Sequence, residues 1–278
     1  MKIKYLGTAA AERVPAVFCK CEVCQNAIKN RGREIRTQTQ SLLDDGKIMI
    51  DFSGDSYLHR LTQTIDYNDI EHLLITHWHS DHFYGEDLAY RMKGYAVGLD
   101  KKMHVYGNAE VKKFYDRAFG LEGQEDNERL EYHLIEPYKK FQIADYWVYP
   151  IPARHGHNQQ DCFIYAIKDK DGKTIFYGHD TGYPNQEMLD YMEKENLKFD
   201  LVSMDCTGQL SNKMTVHMNW EENLQFRKEL IGRKLATNET IFVANHFSHN
   251  GGLTYAQMSN ITNQENIITA YDGMEVSF

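Results

Sequence analysis

The run Thr76-His77-Trp78-His79-Ser80-Asp81-His82 constrains this chain more than any other stretch of it. Chance would produce H-x-H-x-D-H only about 0.002 times in a chain of this composition. Three imidazoles and a carboxylate in six residues are the donors that borderline divalent metals take. The residues just before it, 70–76, centre on Leu73-Leu74-Ile75 and read as a buried strand. At a strand end His77 and His79 share a face, because side chains alternate. Asp81 and His82 lie past the turn and can reach a second ion beside the first. The histidine cluster thus starts where a buried strand ends.

The other elements are consistent with such a fold. Residues 2–6 read as a first strand, followed by a loop rich in Gly, Ala and Cys. Strands at 40–43 and 47–51 flank the tight-turn signal Asp44-Asp45-Gly46. A short helix is expected over 56–64. Asn108 is a plausible N-cap for a helix carrying Val111, Phe114, Tyr115 and Phe119. In the second half, 147–151, 162–167, 174–177, 201–204 and 241–244 read as strands, with Lys170-Asp171-Gly172 as a turn. Asn219-Trp220-Glu221-Glu222 opens a helix to about residue 231, and a late helix opens at 254–257. Mixed strands and helices with several hairpins favour a sheet-rich α/β sandwich over a doubly wound parallel sheet.

With 42% apolar side chains in 278 residues the chain can bury a substantial core. Five prolines and no Ser/Gly-rich run leave no evident linker, so one metallo-hydrolase domain spanning 1–278 is expected. The N-terminus lacks a signal-peptide core, and no stretch approaches the ~20 apolar residues that span a bilayer. The expectation is a cytoplasmic protein without a membrane partner, its five cysteines reduced. The formal charge of −9, from 31 basic and 40 acidic residues, disfavours long nucleic acid. It permits a small anionic substrate where bound metals supply positive charge.

The histidine run resembles the signature of the metallo-β-lactamase fold superfamily. That resemblance implies a four-layer αββα sandwich with metals in a cleft at one edge of the sheets. It also implies the remaining ligands: His155 after Pro150-Ile151-Pro152-Ala153-Arg154, Asp180 within Phe176-Tyr177-Gly178-His179-Asp180-Thr181-Gly182, and His246 after Phe242-Val243-Ala244-Asn245. On this pattern His77, His79 and His155 hold one divalent ion, Asp81, His82 and His246 hold another, and Asp180 bridges them. Zinc or manganese is expected. His179, alternating with Asp180, should face away, and His157 should lie on the cleft rim. His59, His72, His104 and His133 match no motif and are expected at the surface or in the core. Asp51, where many superfamily members carry Asp-x-Gly, is expected to orient a ligand histidine through its other nitrogen. Residues 95–140 match nothing in the family and are expected to shape the substrate pocket.

Phe18-Cys19-Lys20-Cys21-Glu22-Val23-Cys24 concentrates three of the five cysteines. Chance gives C-x-C-x-x-C about 0.002 times. Three thiolates need one more ligand to close a tetrahedral zinc site, and a closed site has no position for water, so its role is structural. The segment resembles the branch that contains the cyclic-phosphate phosphodiesterases of the carbon–phosphorus lyase pathway. In that branch the cysteines pair with the second histidine of His-x-x-His; His246-Phe247-Ser248-His249 supplies it here. Cys19, Cys21, Cys24 and His249 are thus the implied ligands of one structural zinc. Cys162 and Cys206 are expected to be buried apolar fillers.

Two ions ~3.5–4 Å apart can share a water and deliver hydroxide at neutral pH. By resemblance, His217 in Thr215-Val216-His217-Met218-Asn219-Trp220 protonates the leaving alkoxide, or else only touches substrate phosphate. His217 and Asp81 are the candidate catalytic residues. The leading expectation is a phosphodiesterase cleaving small, possibly cyclic, nucleotide or sugar phosphodiesters. A carboxylic-ester, thioester or lactone hydrolase on the same dinuclear site stays open, as does a metal-binding regulatory protein. A tRNA 3′-processing nuclease should carry a basic arm, and no Lys/Arg-rich insertion is visible. A β-lactamase is disfavoured without a signal peptide. A homodimer is left open.

Overall fold

The computed structural model describes residues 1–123, 126–157 and 161–278. In chain order the strands of the first half are β1 (Lys2–Gly7), β2 (Gln40–Leu43), β3 (Ile48–Ile50), β4 (His72–Leu74), β5 (Met103–Gly107) and β6 (Leu130–Leu134). Those of the second are β7 (Phe141–Ile143), β8 (Tyr146–Pro152), β9 (Phe163–Lys168), β10 (Thr174–Gly178), β11 (Leu201–Asp205), β12 (Ile241–Asn245), β13 (Ile268–Thr269) and β14 (Met274–Ser277). Seven α-helices accompany them among the described residues: α1 (Glu22–Asn30), α2 (Ser56–Gln63), α3 (Gly85–Ala89), α4 (Ala109–Glu122), α5 (Gln186–Lys194), α6 (Trp220–Gly232) and α7 (Tyr255–Gln264).

Two seven-stranded sheets result, ordered β14-β1-β2-β3-β4-β5-β6 and β13-β12-β11-β10-β9-β8-β7. Each is antiparallel at one end and parallel through β3-β4-β5-β6 or β10-β11-β12-β13. The last strand, β14, returns to the first sheet and pairs with β1. Strand alternation sorts side chains between layers. Tyr5, Leu74 and Val148 join the core between the sheets, while Leu6 and Leu73 face the outer core shared with α3 and α4. Phe176, Met204 and Phe242 pack outward against α5, α6 and α7. Helix, sheet, sheet, helix is the four-layer sandwich that the sequence implied. Because both faces of the central strands are covered, they read as continuous apolar runs rather than alternating ones.

Local chemistry sets the element boundaries near the cleft. Asn108 caps α4 by accepting from the amides of Glu110 and Val111. Asn219 and Glu222 form a reciprocal capping box that opens α6, and Thr254 with Gln257 does the same for α7. The expected loop through the cysteines needs correction. Only its first part is irregular; α1 starts at Glu22, so Cys24 sits in a helical first turn with Val23 and Ala27 buried beside it. No helix among the described residues is long and apolar enough to cross a membrane.

Candidate metal centre and active-site pocket

The donors converge because every parallel strand ends at the same edge of the sandwich. His77–His82 follow β4, His155 follows β8, Asp180 follows β10, Asp205 closes β11 and His246 follows β12. Three of the residues at these strand ends hold left-handed backbone angles: Asp51 at φ 66°, Asp180 at φ 58° and His246 at φ 58°. Such conformations cost of order 1–3 kcal/mol and persist where the surroundings over-determine them. Here they aim side chains into one cluster.

Within it, His77 Nε2 lies 3.0 Å from His79 Nδ1, and His155 Nε2 lies 3.1 Å from the same atom. Asp180 Oδ2 is 3.2 Å from His77 Nε2 and 2.9 Å from His82 Nε2. Asp81 Oδ2 is 3.3 Å from His82 Nε2 and 4.0 Å from His246 Nε2. The atoms include two groups, each within 4.8 Å, His77, His79, His155 and Asp180, then Asp81, His82, Asp180 and His246, and beside them an overlapping group of Asp180, Asp205, His217 and His246. Asp180 belongs to all of these.

Buried nitrogens show what this cluster fits. His82 Nε2 and His246 Nε2 are inaccessible to water and make no hydrogen bond. Leaving such atoms unmet is costly, and nitrogens packed among carboxylate oxygens without hydrogen-bond geometry are the donor set of a cation. Burial, then neighbouring imidazoles, hold His77 well below its ordinary value and His79 below it as well. Neutral imidazole is the form that ligates a metal.

Partners behind the donors fix their orientation. Asp51 Oδ2 lies 2.8 Å from His82 Nδ1, and the same carboxylate accepts from the Thr76 amide and hydroxyl. This is the contact expected of Asp51. Thr207 Oγ1 lies 2.9 Å from His246 Nδ1. His217 Nδ1 lies 3.0 Å from Asp205 Oδ2 and 3.2 Å from Asp180 Oδ1. Burial opposes the charged imidazole, but Asp205 and Asp180 outweigh it and carry His217 up to about 11. Gly182 lets the loop bearing His217 come this close, since a Cβ there would stand 2.1 Å from the Thr215 carbonyl oxygen.

The cluster opens into a pocket of about 630 Å³. His79, Asp81, His155, Asp180, His217 and His246 line its floor, and Trp78, Phe114 and Tyr84 form an aromatic wall. The Trp78 indole stacks on Phe114 at 4.8 Å. Arg117, also on this wall, pairs with Glu86 at 3.1 Å. Of the described residues in the segment expected to shape the pocket, only Phe114 and Arg117 line it; much of the remainder forms β5, β6 and α4. On the far side stand Glu12 and Asn250, whose amide donates to Glu12 Oε1 at 3.0 Å.

The second cluster lies behind that far wall. Cys19 Sγ and Cys21 Sγ lie 3.5 and 3.6 Å from His249 Nδ1, and Cys24 completes a four-donor group. Thiolate and imidazole donors at this spacing fit a closed tetrahedral ion. Burial raises both inner thiols, but hydrogen bonds, first from the Cys24 backbone, bring Cys21 down to about 7, while Cys24 stays up at about 12.

Two further histidines lie outside the cluster. His179 is buried outside the cluster, held by Ser203 Oγ at 2.8 Å and Thr39 Oγ1 at 3.3 Å. His157 is exposed and stacks on Trp78 at 5.5 Å. Cys162 and Cys206 are buried. Sequence reasoning gave no role to Asp205 or Thr207, and none to Glu12, Trp78 or Asn250. Two signals were available: Asp205, like Asp51 and Asp180, is an aspartate at the end of a buried strand, and Met204-Asp205-Cys206-Thr207 resembles the same branch as the cysteine run.

The family model described as the beta-lactamase superfamily domain matches residues 47–237. A ribonuclease Z of Listeria welshimeri is 24% identical over 173 residues, which cover 62% of this chain and 50% of that protein. The chain thus spans about half the length of the curated relatives it matches. Among solved structures, a diphosphatase from the PhnP family superposes with a TM-score of 0.75 at 20% identity, covering 100% of this chain and 97% of that one. The short form of human tRNase Z gives 0.68 at 18%, covering 100% and 99%. Zinc-bound PqqB from Methylobacterium extorquens gives 0.75 at 15%, covering 100% of both chains. At these identities the structural likeness speaks for the fold.

Proposed function

The chain belongs to the beta-lactamase superfamily, and from that membership we propose that it is a dinuclear metal-dependent phosphodiesterase of small, cyclic or nucleotide-like phosphodiesters. The reading takes residues 1–278 as a single domain in the cytoplasm. His77, His79 and His155 would hold one divalent ion and Asp81, His82 and His246 the other, zinc or manganese, with Asp180 shared between them. Cys19, Cys21, Cys24 and His249 would hold a structural zinc. When bound, the paired ions supply Lewis acidity toward a phosphoryl centre and toward water.

The chain's own residues do the remaining work. Asp180 and Asp81 balance the positive charge on the pocket floor. Asp51 and Thr207 hold His82 and His246 in one ring orientation, so their other nitrogens face the cleft. His217 donates its Nδ1 proton to Asp205, which leaves Nε2 to protonate a departing alkoxide. The Trp78 and Phe114 wall excludes water from one side of the substrate.

The observation that carries this reading is the His217–Asp205 pair set against the shared carboxylate Asp180. A proton donor beside a two-ion floor suits an ester whose leaving group is a poor one. The PhnP-family diphosphatase and the ribonuclease Z relatives point to phosphorus–oxygen bonds rather than carboxylic esters or lactones. The ribonucleases also weigh against a small substrate alone. The net charge of −9 and the paired state of Arg117 in the pocket favour the small one. Metal-loaded protein should be assayed on a 2′,3′-cyclic nucleotide, bis(p-nitrophenyl) phosphate, p-nitrophenyl acetate, a lactone and a precursor tRNA. Phosphodiester rates should exceed ester and lactone rates by about 10²-fold or more. The reverse order would sink the proposal, and preference for the tRNA would replace the small substrate by RNA.

A further inference from the structure

A third group of metal-binding side chains lies at the opposite end of the first sheet. His72, His104 and Glu131 stand in register across β4, β5 and β6, and His133 follows Glu131 two residues on, so all four project from the same face. That face is the one carrying Leu74 and Tyr106 toward the second sheet. The strands run from here toward the active-site edge, so this cluster lies at their N-terminal ends and shares no residue with the pocket.

His104 Nδ1 lies 2.9 Å from His133 Nε2, and Glu131 Oε2 lies 3.8 Å from His104 Nδ1. The three donors fall within 4.8 Å of one another. Two nitrogens about 3 Å apart with a carboxylate oxygen beside them are spaced as neighbouring corners of one coordination sphere. Their rings are already held. His72 stacks on His104 at 5.6 Å and meets the Tyr106 hydroxyl through Nδ1 at 3.3 Å. Tyr106 stacks on His133 at 4.8 Å and on Phe141 of the second sheet at 5.6 Å. Burial holds His72 and His133 below the ordinary imidazole value. The donors are half-exposed, so water can complete the shell. Lys102, 3.2 Å from Glu131 Oε2, is the cation a metal would displace.

We propose that His104, His133 and Glu131 form a solvent-accessible binding site for a borderline divalent transition metal such as zinc, copper or nickel. Two imidazoles and a carboxylate select these ions over magnesium or calcium, which prefer all-oxygen shells. Because water occupies the remaining positions, the ion exchanges readily, unlike one held by the thiolates.

The test uses the holoprotein with zinc in its other sites, titrated with Cu²⁺. It should take up a further ion whose EPR spectrum shows nitrogen coupling from two imidazoles, with phosphodiester hydrolysis unchanged by the substitutions below. His133→Gln should weaken that uptake about tenfold or more and abolish the two-nitrogen pattern. Glu131→Gln, a half-exposed change that leaves both rings in place, should weaken it while keeping the pattern. It carries the test if His133→Gln fails to fold. Absence of a further ion, or equal uptake by both variants and the parent, would overturn the proposal.

Discussion

The His/Asp cluster and the Cys/His cluster meet in one short segment, yet they differ in every respect that matters to chemistry. His246 enters the first and His249 the second, three residues apart. The first draws donors from the ends of four strands and opens on the pocket; the second takes three of its four from the loop before α1 and that helix's first turn. The first shares one carboxylate between two groups, whereas the second is a group of four donors that shares none of them. On the proposed reading, openness rather than donor strength separates the reactive centre from the structural one. The segment 246–251 couples them, because Ser248, Asn250 and Gly251 line the active-site pocket.

Asp180→Ala should break the contrast most severely. Losing the shared donor removes several kcal/mol of charge stabilisation, so phosphodiester hydrolysis should fall by roughly 10³-fold or more. Metal analysis should show loss from the active site with the thiolate-bound zinc retained. Retained activity and full metal content would deny Asp180 its place between the ions.

His217→Ala should sharpen it. A general acid contributes ~10²–10⁴-fold, and the contribution shrinks as the leaving group improves. The variant should therefore lose far more on a cyclic nucleotide than on bis(p-nitrophenyl) phosphate, with bound metal unchanged. Equal losses on both would make His217 a phosphate-positioning residue, and lost metal would make it a ligand.

Partners behind the ligands come next in size. Asp51→Asn should lower metal affinity or activity about 10–100-fold, because His82 loses its carboxylate partner. An unchanged zinc titration would show that the ring is held by packing alone.

Cys21→Ser should have the smallest catalytic effect and a clear stability effect. Losing a thiolate ligand frees the loop before α1 from the segment carrying His249, and a loss of a few kcal/mol would lower Tm by several degrees. Phosphodiester hydrolysis should drop only as far as Asn250 and Ser248 shift. Unchanged zinc content and Tm would contradict a closed thiolate site, and complete loss of catalysis in folded protein would erase the difference between the clusters.

Of the candidate centre, the run from His77 to His82 was legible in the residues themselves, while His155, Asp180 and His246 came from the resemblance, which places ligands after buried apolar strands. A run such as Phe242-Val243-Ala244 can hardly be anything but interior, so a histidine shortly after it sits at an edge. A sheet-rich α/β sandwich followed from the same runs with their turn residues; the four layers followed from the resemblance. Other parts depend on distant segments. Asp205 gains its role only when a loop twelve residues later returns to it across Gly182. Helix α1 was read as loop because its buried side is only Val23, Cys24 and Ala27, too small to show as an apolar stripe. Strands β5 and β6 escaped because two histidines and a glutamate occupy three of their four positions facing the second sheet, which hides the alternation.

The central claim is that the His/Asp floor, with its shared carboxylate, makes this chain a metal-dependent phosphodiesterase. The most direct measurement follows hydrolysis of a 2′,3′-cyclic nucleotide against bound metal as stripped protein is reloaded with Zn²⁺ or Mn²⁺. The account predicts no turnover in the stripped state, a rise as the His/Asp cluster fills, and none at any loading in Asp180→Ala. Turnover that survives complete metal removal, or full loading of the cluster without hydrolysis of any phosphodiester, would contradict it.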